Sequence, residues 1–527
     1  MLNYRTQNLR LNTGGVIERG QPISFSFNGE QLQGFKGDTV ASALAANGIK
    51  LLARSFKYHR PRGLYSAGPE EPNALLSVDV DGRVEVNARA TMVMLSEGMK
   101  LQSQNCFPSL NFDLGRINDR LSPLLSAGFY YKTFIWPGLK GWMFYESIIR
   151  KAAGMGEVGL KADNAKYEHL NLHCDLLVVG AGLTGISTAL AAASVGLDVI
   201  LVEQHQVLGG QFQNPSWLAK VTREIAANHK IKLLRQTTAF GAYDNNIYTL
   251  LEKTTQPCAV LERLYEVKAA QCVTATGALE RPLVFSNNDL PGIQLAGSAQ
   301  LYLNRYAVLA GRKIVLFTNN SSAYQVVADL LKADANIVAI VDSRSCEQVE
   351  MSEQLKQQLI EQNVQLHFSA VISHASGNKE LREVNINHYQ YSDQQHNKSE
   401  TLGSRICSVE CDSLLVSGGW SPTAHLHSQA GGKLIFDQHS AALIPVEGSS
   451  NIHCVGAAAG NFNSNDSFRH AWQLGCSLAE KKSALEKSVN TEHSNTVTFD
   501  ESKLFAELDS LVQIEDLQKY HIQPLWS

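Results

Sequence analysis

From Cys174 to Glu203 the chain reads CDLLVVGAGLTGISTALAAASVGLDVILVE, the stretch that most narrows what it can fold into. An apolar run ends in a glycine-rich turn, an alanine-rich segment of helical composition follows, and a second apolar run closes on an acid. Strand, turn, helix and strand in that order form a parallel βαβ unit. Its glycines have separate tasks. Gly180 permits the tight turn, Gly182 leaves the backbone bare for a pyrophosphate, and Gly185 lets helix and strand pack closely, while the helix N-terminus faces the phosphates. Glu203, 23 residues after Gly180, is placed to accept hydrogen bonds from a ribose. Glycines also serve ordinary turns, but strand, helix and acid together specify a dinucleotide-binding domain.

The same order recurs in GRKIVLFTNNSSAYQVVADLLKADANIVAIVDSR, where Asp342 ends the second strand as Glu203 does. Here Thr318, Asn320 and Ala323 stand in the places of Gly180, Gly182 and Gly185, so Cβ atoms intrude where a pyrophosphate needs bare backbone. The expectation is a retained fold with an empty site. ATGALERP (275–282) and NIHCVGAAAG (451–460) mark returns of the chain to the first nucleotide domain. The resulting order is nested: a dinucleotide-binding domain over 171–300 and 416–480, an inserted nucleotide-type domain over 301–415, and a tail over 481–527. This is a glutathione-reductase-like α/β core with two dinucleotide-type domains. GGQF (209–212) follows the ribose acid at the distance where that class sets a glycine pair near the cofactor, which adds Gly210 and Gln211 to the site.

Ahead of this core, ISFSFNGEQLQGFKGDTVASALAANGI reads as two strands and a turn, then a helix entered at Asp38 or Thr39. That is the order of a β-grasp, ferredoxin-like domain, placed at residues 1–106. Plant-type ferredoxin domains carry cluster cysteines in the loop after this helix, but the first cysteine here is Cys106, so the domain is expected to be cluster-free. Residues 107–170 form a connector in which Phe129, Tyr130, Tyr131, Phe134, Trp136, Trp142, Phe144 and Tyr145 fall close together. Local packing and a surface buried against another subunit explain this run equally well.

Composition excludes several classes. With 44% hydrophobic and 18% charged residues in 527, the chain can bury ample core, and a net charge of −4 argues against non-specific nucleic-acid binding. Nine cysteines are scattered without a CxxC pair, which supports neither a metal site nor a redox disulfide and fits reduced core thiols in a cytoplasmic protein. The first residues lack the apolar core of a signal peptide, and no apolar run reaches the ~18 residues of a membrane helix. No membrane association is expected.

SFKYHRPRGLYSAGPEEPNALLSV, TGALERPLVF, LYLNRYAVLAGRKIVLFTNN and SGGWSPTAHLHSQAGGKL together resemble the alpha subunit of heterotetrameric sarcosine oxidase, nearly end to end. The resemblance implies a flavin-reductase-like chain that holds NAD in its first nucleotide site. It also implies a beta subunit carrying FAD and the amine-oxidising site, further smaller subunits, and FMN at the alpha–beta interface. The complex oxidises sarcosine to glycine, with tetrahydrofolate taking up the one-carbon unit. The family's alpha subunit continues into a folate-binding aminomethyltransferase-like half, whereas this sequence stops at HIQPLWS. A naturally short subunit, a split gene and a truncated product all account for that, and folate binding is not claimed.

Related flavin reductases meet the FAD ribityl chain with an Asp after the glycine of the last motif; here Gly456 is followed by Ala457. NAD has no ribityl chain and loses nothing, so NAD is favoured, with FAD as the alternative. Glu203 would repel a 2′-phosphate, which disfavours NADP. By position in the family's motif, Gln204, Gln211, Ala239 and Gly277 lie along the adenine–ribose and pyrophosphate path. The basic loop Arg54, Lys57, His59, Arg60 and Arg62 fits internal salt bridges first and an anion site, such as the FMN phosphate, second. No catalytic residue is assigned. Three readings stay open: a non-catalytic subunit of a sarcosine-oxidase-like complex, a self-sufficient FAD-dependent NADH oxidoreductase, and a truncated non-catalytic remnant.

Overall fold

The computed structural model describes residues 7–125, 138–154, 156, 159, 162–254, 260–394, 397–446 and 451–489. Phe129, Tyr130, Tyr131, Phe134 and Trp136 of the aromatic run and most of the expected tail lie outside these residues. The chain forms two compact units, one from residues up to Asp163 with Arg281–Gly419, the other from Asn164–Glu280 with the chain from Trp420 onward.

In the first unit, strands Glu30–Lys36, Glu18–Phe27, Lys100–Ser103, Leu75–Val80 and Arg83–Arg89 form a mixed sheet in that order. Alternation in Glu18–Phe27 turns Phe25 and Phe27 into a core shared with Val40, Ala43 and Leu44 of the short helix Val40–Ala46. That helix starts at Thr39, whose hydroxyl accepts from the Ser42 N–H while the Ser42 hydroxyl accepts from the Thr39 N–H, a capping box. The order is that of a β-grasp domain.

The same unit contains a five-stranded parallel sheet ordered Ile293–Leu295, Ser413–Ser417, Ile314–Thr318, Ile337–Asp342, Gln365–His367. Its central strands are mostly apolar and almost wholly buried because helices and a three-stranded antiparallel sheet cover its faces. Residue 301 lies within the helix Ala296–Tyr306, and the chain passes from the second unit to the first between Glu280 and Arg281. In the connector, the helix Leu139–Ala153 half-buries Trp142 and Tyr145 and exposes Phe144.

The second unit is a sheet ordered Ile231–Leu234, Val199–Val202, Lys166–Val179, Val260–Thr274, Ile247–Lys253, Thr237–Tyr243, with Ile452–Cys454 added parallel to the end of Val260–Thr274. Leu176 to Val178 and Val199 to Val202 are buried, as strands inside a parallel sheet must be. The helix Leu183–Ser194 packs its alanines on this sheet and stops before Gly196, a left-handed residue that cannot continue it without strain for other side chains. Among the described residues no helix is long and apolar enough to cross a membrane.

Candidate functional site

Three glycines with three different surroundings make the first turn. Gly180 is left-handed (φ 101°), and a Cβ there would overlap the Ala275 carbonyl oxygen. A Cβ on Gly185 would overlap the Gly180 carbonyl oxygen and lie 3.1 Å from the Ala275 Cβ. The protein's own packing therefore requires both glycines. Gly182 differs: it begins the helix Leu183–Ser194 with an extended backbone, and a Cβ on it would meet nothing within 4 Å. The turn is thus a cradle open at its second glycine.

The other motifs gather around that opening. Gly209 donates its N–H to the Ala181 carbonyl at 2.8 Å and bridges Gly182, and a Cβ on Gly210 would lie 3.4 Å from the Gly182 Cα. Glu203 is buried, with Oε2 accepting from the Ala181 N–H and Oε1 from the His205 N–H, each at 2.9 Å. Gly277 is left-handed and open on its Cβ side. Gly456 is left-handed as well, and its missing Cβ leaves room for Thr184 in the first turn of the helix. Ala457 follows it in a short 3-10 turn.

Other expected residues are less central. Gln204 is half-buried between Glu203 and His205, and Gln211 is exposed beyond Gly210. Ala239 reaches the turn through Thr237, whose N–H donates to the Glu203 carbonyl at 2.9 Å, while Ala239 itself packs against a neighbouring apolar cluster. Sequence reading missed Gln213, whose amide Nε2 clamps the Leu208 and Gly210 carbonyls and leaves Oε1 buried without a partner. It also missed Thr423, which donates its N–H to the Gly277 carbonyl and keeps a buried, unpartnered Oγ1. A glutamine three residues past a glycine pair is the hint the sequence holds for the first; the second is 146 residues from Gly277.

The second turn is filled by its own side chains. The Thr318 hydroxyl donates to the Asn320 and Ser417 carbonyls, and the Asn320 amide donates to the Ser417 carbonyl and hydroxyl. Asp342, fully buried, takes the Arg344 guanidinium on both oxygens at 3.1 and 2.8 Å and the Tyr324 hydroxyl at 2.9 Å. Burial first, and the Asp342 charge second, push the Tyr324 phenol well up, so it remains a donor. The position of the ribose acid is thereby taken by an internal cation.

Salt bridges inside the first unit account for most of the basic loop. His59 Nδ1 lies 2.7 Å from Asp113, beside buried Arg54, and Arg60 and Arg62 both pair with Asp289. Burial alone would raise the Asp289 carboxyl, but the two guanidinium groups hold it below its ordinary value. Of the eight cysteines described, all are free; three are buried and Cys346 is exposed, so the expectation of core thiols holds for some only.

A family model for a pyridine nucleotide-disulphide oxidoreductase matches residues 137–291 and 174–442, together more than half of the chain. The chain belongs to that family. A model for a 2Fe-2S iron-sulfur cluster binding domain matches residues 20–106. The fold of this pyridine nucleotide-disulphide oxidoreductase relative is accordingly a two-domain α/β core preceded by a ferredoxin-like β-grasp domain. Cys106 is the one cysteine within 20–106, and among the described residues no group of three His, Cys, Asp or Glu could hold a metal ion, so the residues present do not fit a cluster.

The chain is 40% identical to the sarcosine oxidase subunit alpha of Rhizobium meliloti (strain 1021) over 466 residues, 85% of this chain and 45% of that protein. To the subunit alpha of Corynebacterium sp. (strain P-1) it is 32% identical, over 88% of this chain and 44% of that one. It spans just under half the length of these relatives. Among solved structures, L-proline dehydrogenase from P. horikoshii superposes with a TM-score of 0.62 at 19% identity, covering 98% of this chain and 80% of that one, a likeness of fold. The family implies flavin or nicotinamide binding, and the open Gly182 cradle with its buried carboxylate fits such a dinucleotide.

Proposed function

We propose that the chain is an alpha-type subunit of a sarcosine-oxidase-like complex, working in the cytoplasm. In this reading it holds NAD in the first nucleotide site and contacts a flavin-carrying beta subunit that performs the oxidative demethylation of sarcosine. FMN at the subunit interface and smaller subunits complete the assembly. The observation that carries the NAD assignment is the site itself: an open cradle at Gly182, a buried carboxylate at Glu203, and Ala457 where FAD would call for an Asp.

Each residue then has a binding task. The bare Gly182 backbone and the N–H groups of the helix start receive the pyrophosphate. Glu203, already fixed on both oxygens, accepts from the ribose hydroxyls. Gly210 and Gly277 keep the path free of side chains, and Gln213 and Thr423 offer buried oxygens beside those glycines. When bound, a nicotinamide dinucleotide supplies a hydride donor or acceptor.

Mass analysis of nucleotide extracted from the purified chain, with its absorption spectrum, tests the reading. NAD without flavin colour is expected, together with no hydrogen peroxide release from sarcosine by the chain alone. Bound FAD and a second NADH binding event would replace it with the self-sufficient reductase reading. Against that alternative stands the second turn, whose acid is engaged by Arg344 and Tyr324.

A further inference from the structure

The β-grasp domain matches a cluster-binding model without having cluster ligands, and its loop Tyr65–Ala74 is organised by something else. Glu71 is 1% exposed. Its Oε2 accepts from the N–H groups of Tyr65 and Ser66 at 2.8 and 2.6 Å, and its Oε1 from those of Asn73 and Ala74 at 2.7 and 3.1 Å. The carbonyls are engaged too: Tyr65 accepts from the Leu295 N–H, Ser66 from the Tyr302 hydroxyl, Gly68 from the Thr91 hydroxyl, and Glu71 from Arg89 Nε.

We propose that Glu71 serves as the anionic centre of this loop, in place of an iron–sulfur cluster, so that the domain is metal-free by construction. A cluster is an anionic group whose sulfurs accept N–H bonds and whose thiolate ligands tie distant parts of one loop together. The Glu71 carboxylate reproduces the first property with four backbone donors and the second by joining 65–66 to 73–74. A buried carboxylate is tolerable only with charge-assisted donors of this kind. Burial raises its carboxyl above the ordinary value, and the backbone bonds act against that rise.

Amide hydrogen exchange on the full chain, with iron analysis, tests this. After anaerobic incubation with ferrous iron and sulfide and then desalting, the wild-type protein should retain no stoichiometric iron and no cluster absorption. The Tyr65, Ser66, Asn73 and Ala74 amides should be protected in the wild type. Glutamine has one acceptor oxygen, so in Glu71→Gln either amide orientation turns an NH2 toward one pair of donors, and that pair should exchange about tenfold faster or more. In Glu71→Ala all four should do so; if that variant fails to fold, Glu71→Gln decides. Stoichiometric iron in the wild type, or unchanged exchange in the Gln variant, overturns the proposal.

Discussion

The turns at Gly180–Gly185 and Thr318–Ala323 both lead from a parallel strand into a helix, which begins at Leu183 in the first and at Ala323 in the second, yet the first is open at Gly182 while the second uses its polar side chains internally. Around Gly182 the available groups are backbone N–H groups and one carboxylate, Glu203, steadied by two further N–H groups. Around Asn320 the Thr318 hydroxyl and the Asn320 amide donate to Ser417, and the Arg344 guanidinium donates to Asp342. Losing the glycines is therefore more than steric obstruction. Two of the three replacements, Thr318 and Asn320, supply side-chain donors that are used up inside the turn.

The sharpest way to break this comparison is Gly185→Val, whose side chain must enter the Gly180 backbone; a loss above about 4 kcal/mol is expected, seen as absence of soluble folded protein. Arg344→Ala comes next. It strands a fully buried Asp342 carboxylate and should cost about 3–5 kcal/mol, read from hydrogen exchange of Ile314–Thr318 and Ile337–Asp342 amides, with Asp342→Asn in the same chain restoring part. A cost below about 1 kcal/mol would mean that the ion pair does not close that turn.

Gly182→Val probes the opposite property. Its side chain enters free space, so the fold and the thermal midpoint of the nucleotide-free protein should be kept while the nucleotide carried through purification is lost, a fall of about a hundredfold in affinity. Equal nucleotide content would remove the site assignment. Glu203→Gln should have the smallest effect on binding, about tenfold weaker NAD, because its NH2 faces the Ala181 or the His205 N–H and its remaining oxygen is uncharged, with relaxed discrimination against NADP in calorimetric titration.

Much of this contrast was legible before any coordinates. The jobs of Gly180 and Gly185 follow from their spacing between strand and helix, and the loss of glycines at Thr318 and Asn320 is visible in the letters. What fills the second turn was not visible. Arg344 stands in VDSRSC like any solvated loop cation, and its burial depends on the tertiary path. The basic loop shows the same limit: internal ion pairs were the first expectation, but Asp113 and Asp289 lie 54 and 229 residues from their partners His59 and Arg60. Glu71, in GPEEPN, reads as a surface acid. Nothing local distinguishes it from Glu70, and only the folded loop brings four backbone donors to it.

The Asp342–Arg344 pair also gives this chain's evolution a direction. Returning Arg344 alone to a small residue leaves a buried charge uncompensated, and returning Asn320 alone to glycine removes an amide that two Ser417 oxygens use. Either of these single steps toward an open turn passes through a less stable protein. A lineage that has made this exchange is committed to it. New nucleotide preferences in this chain would therefore arise sooner by altering Glu203 than by reopening its second turn.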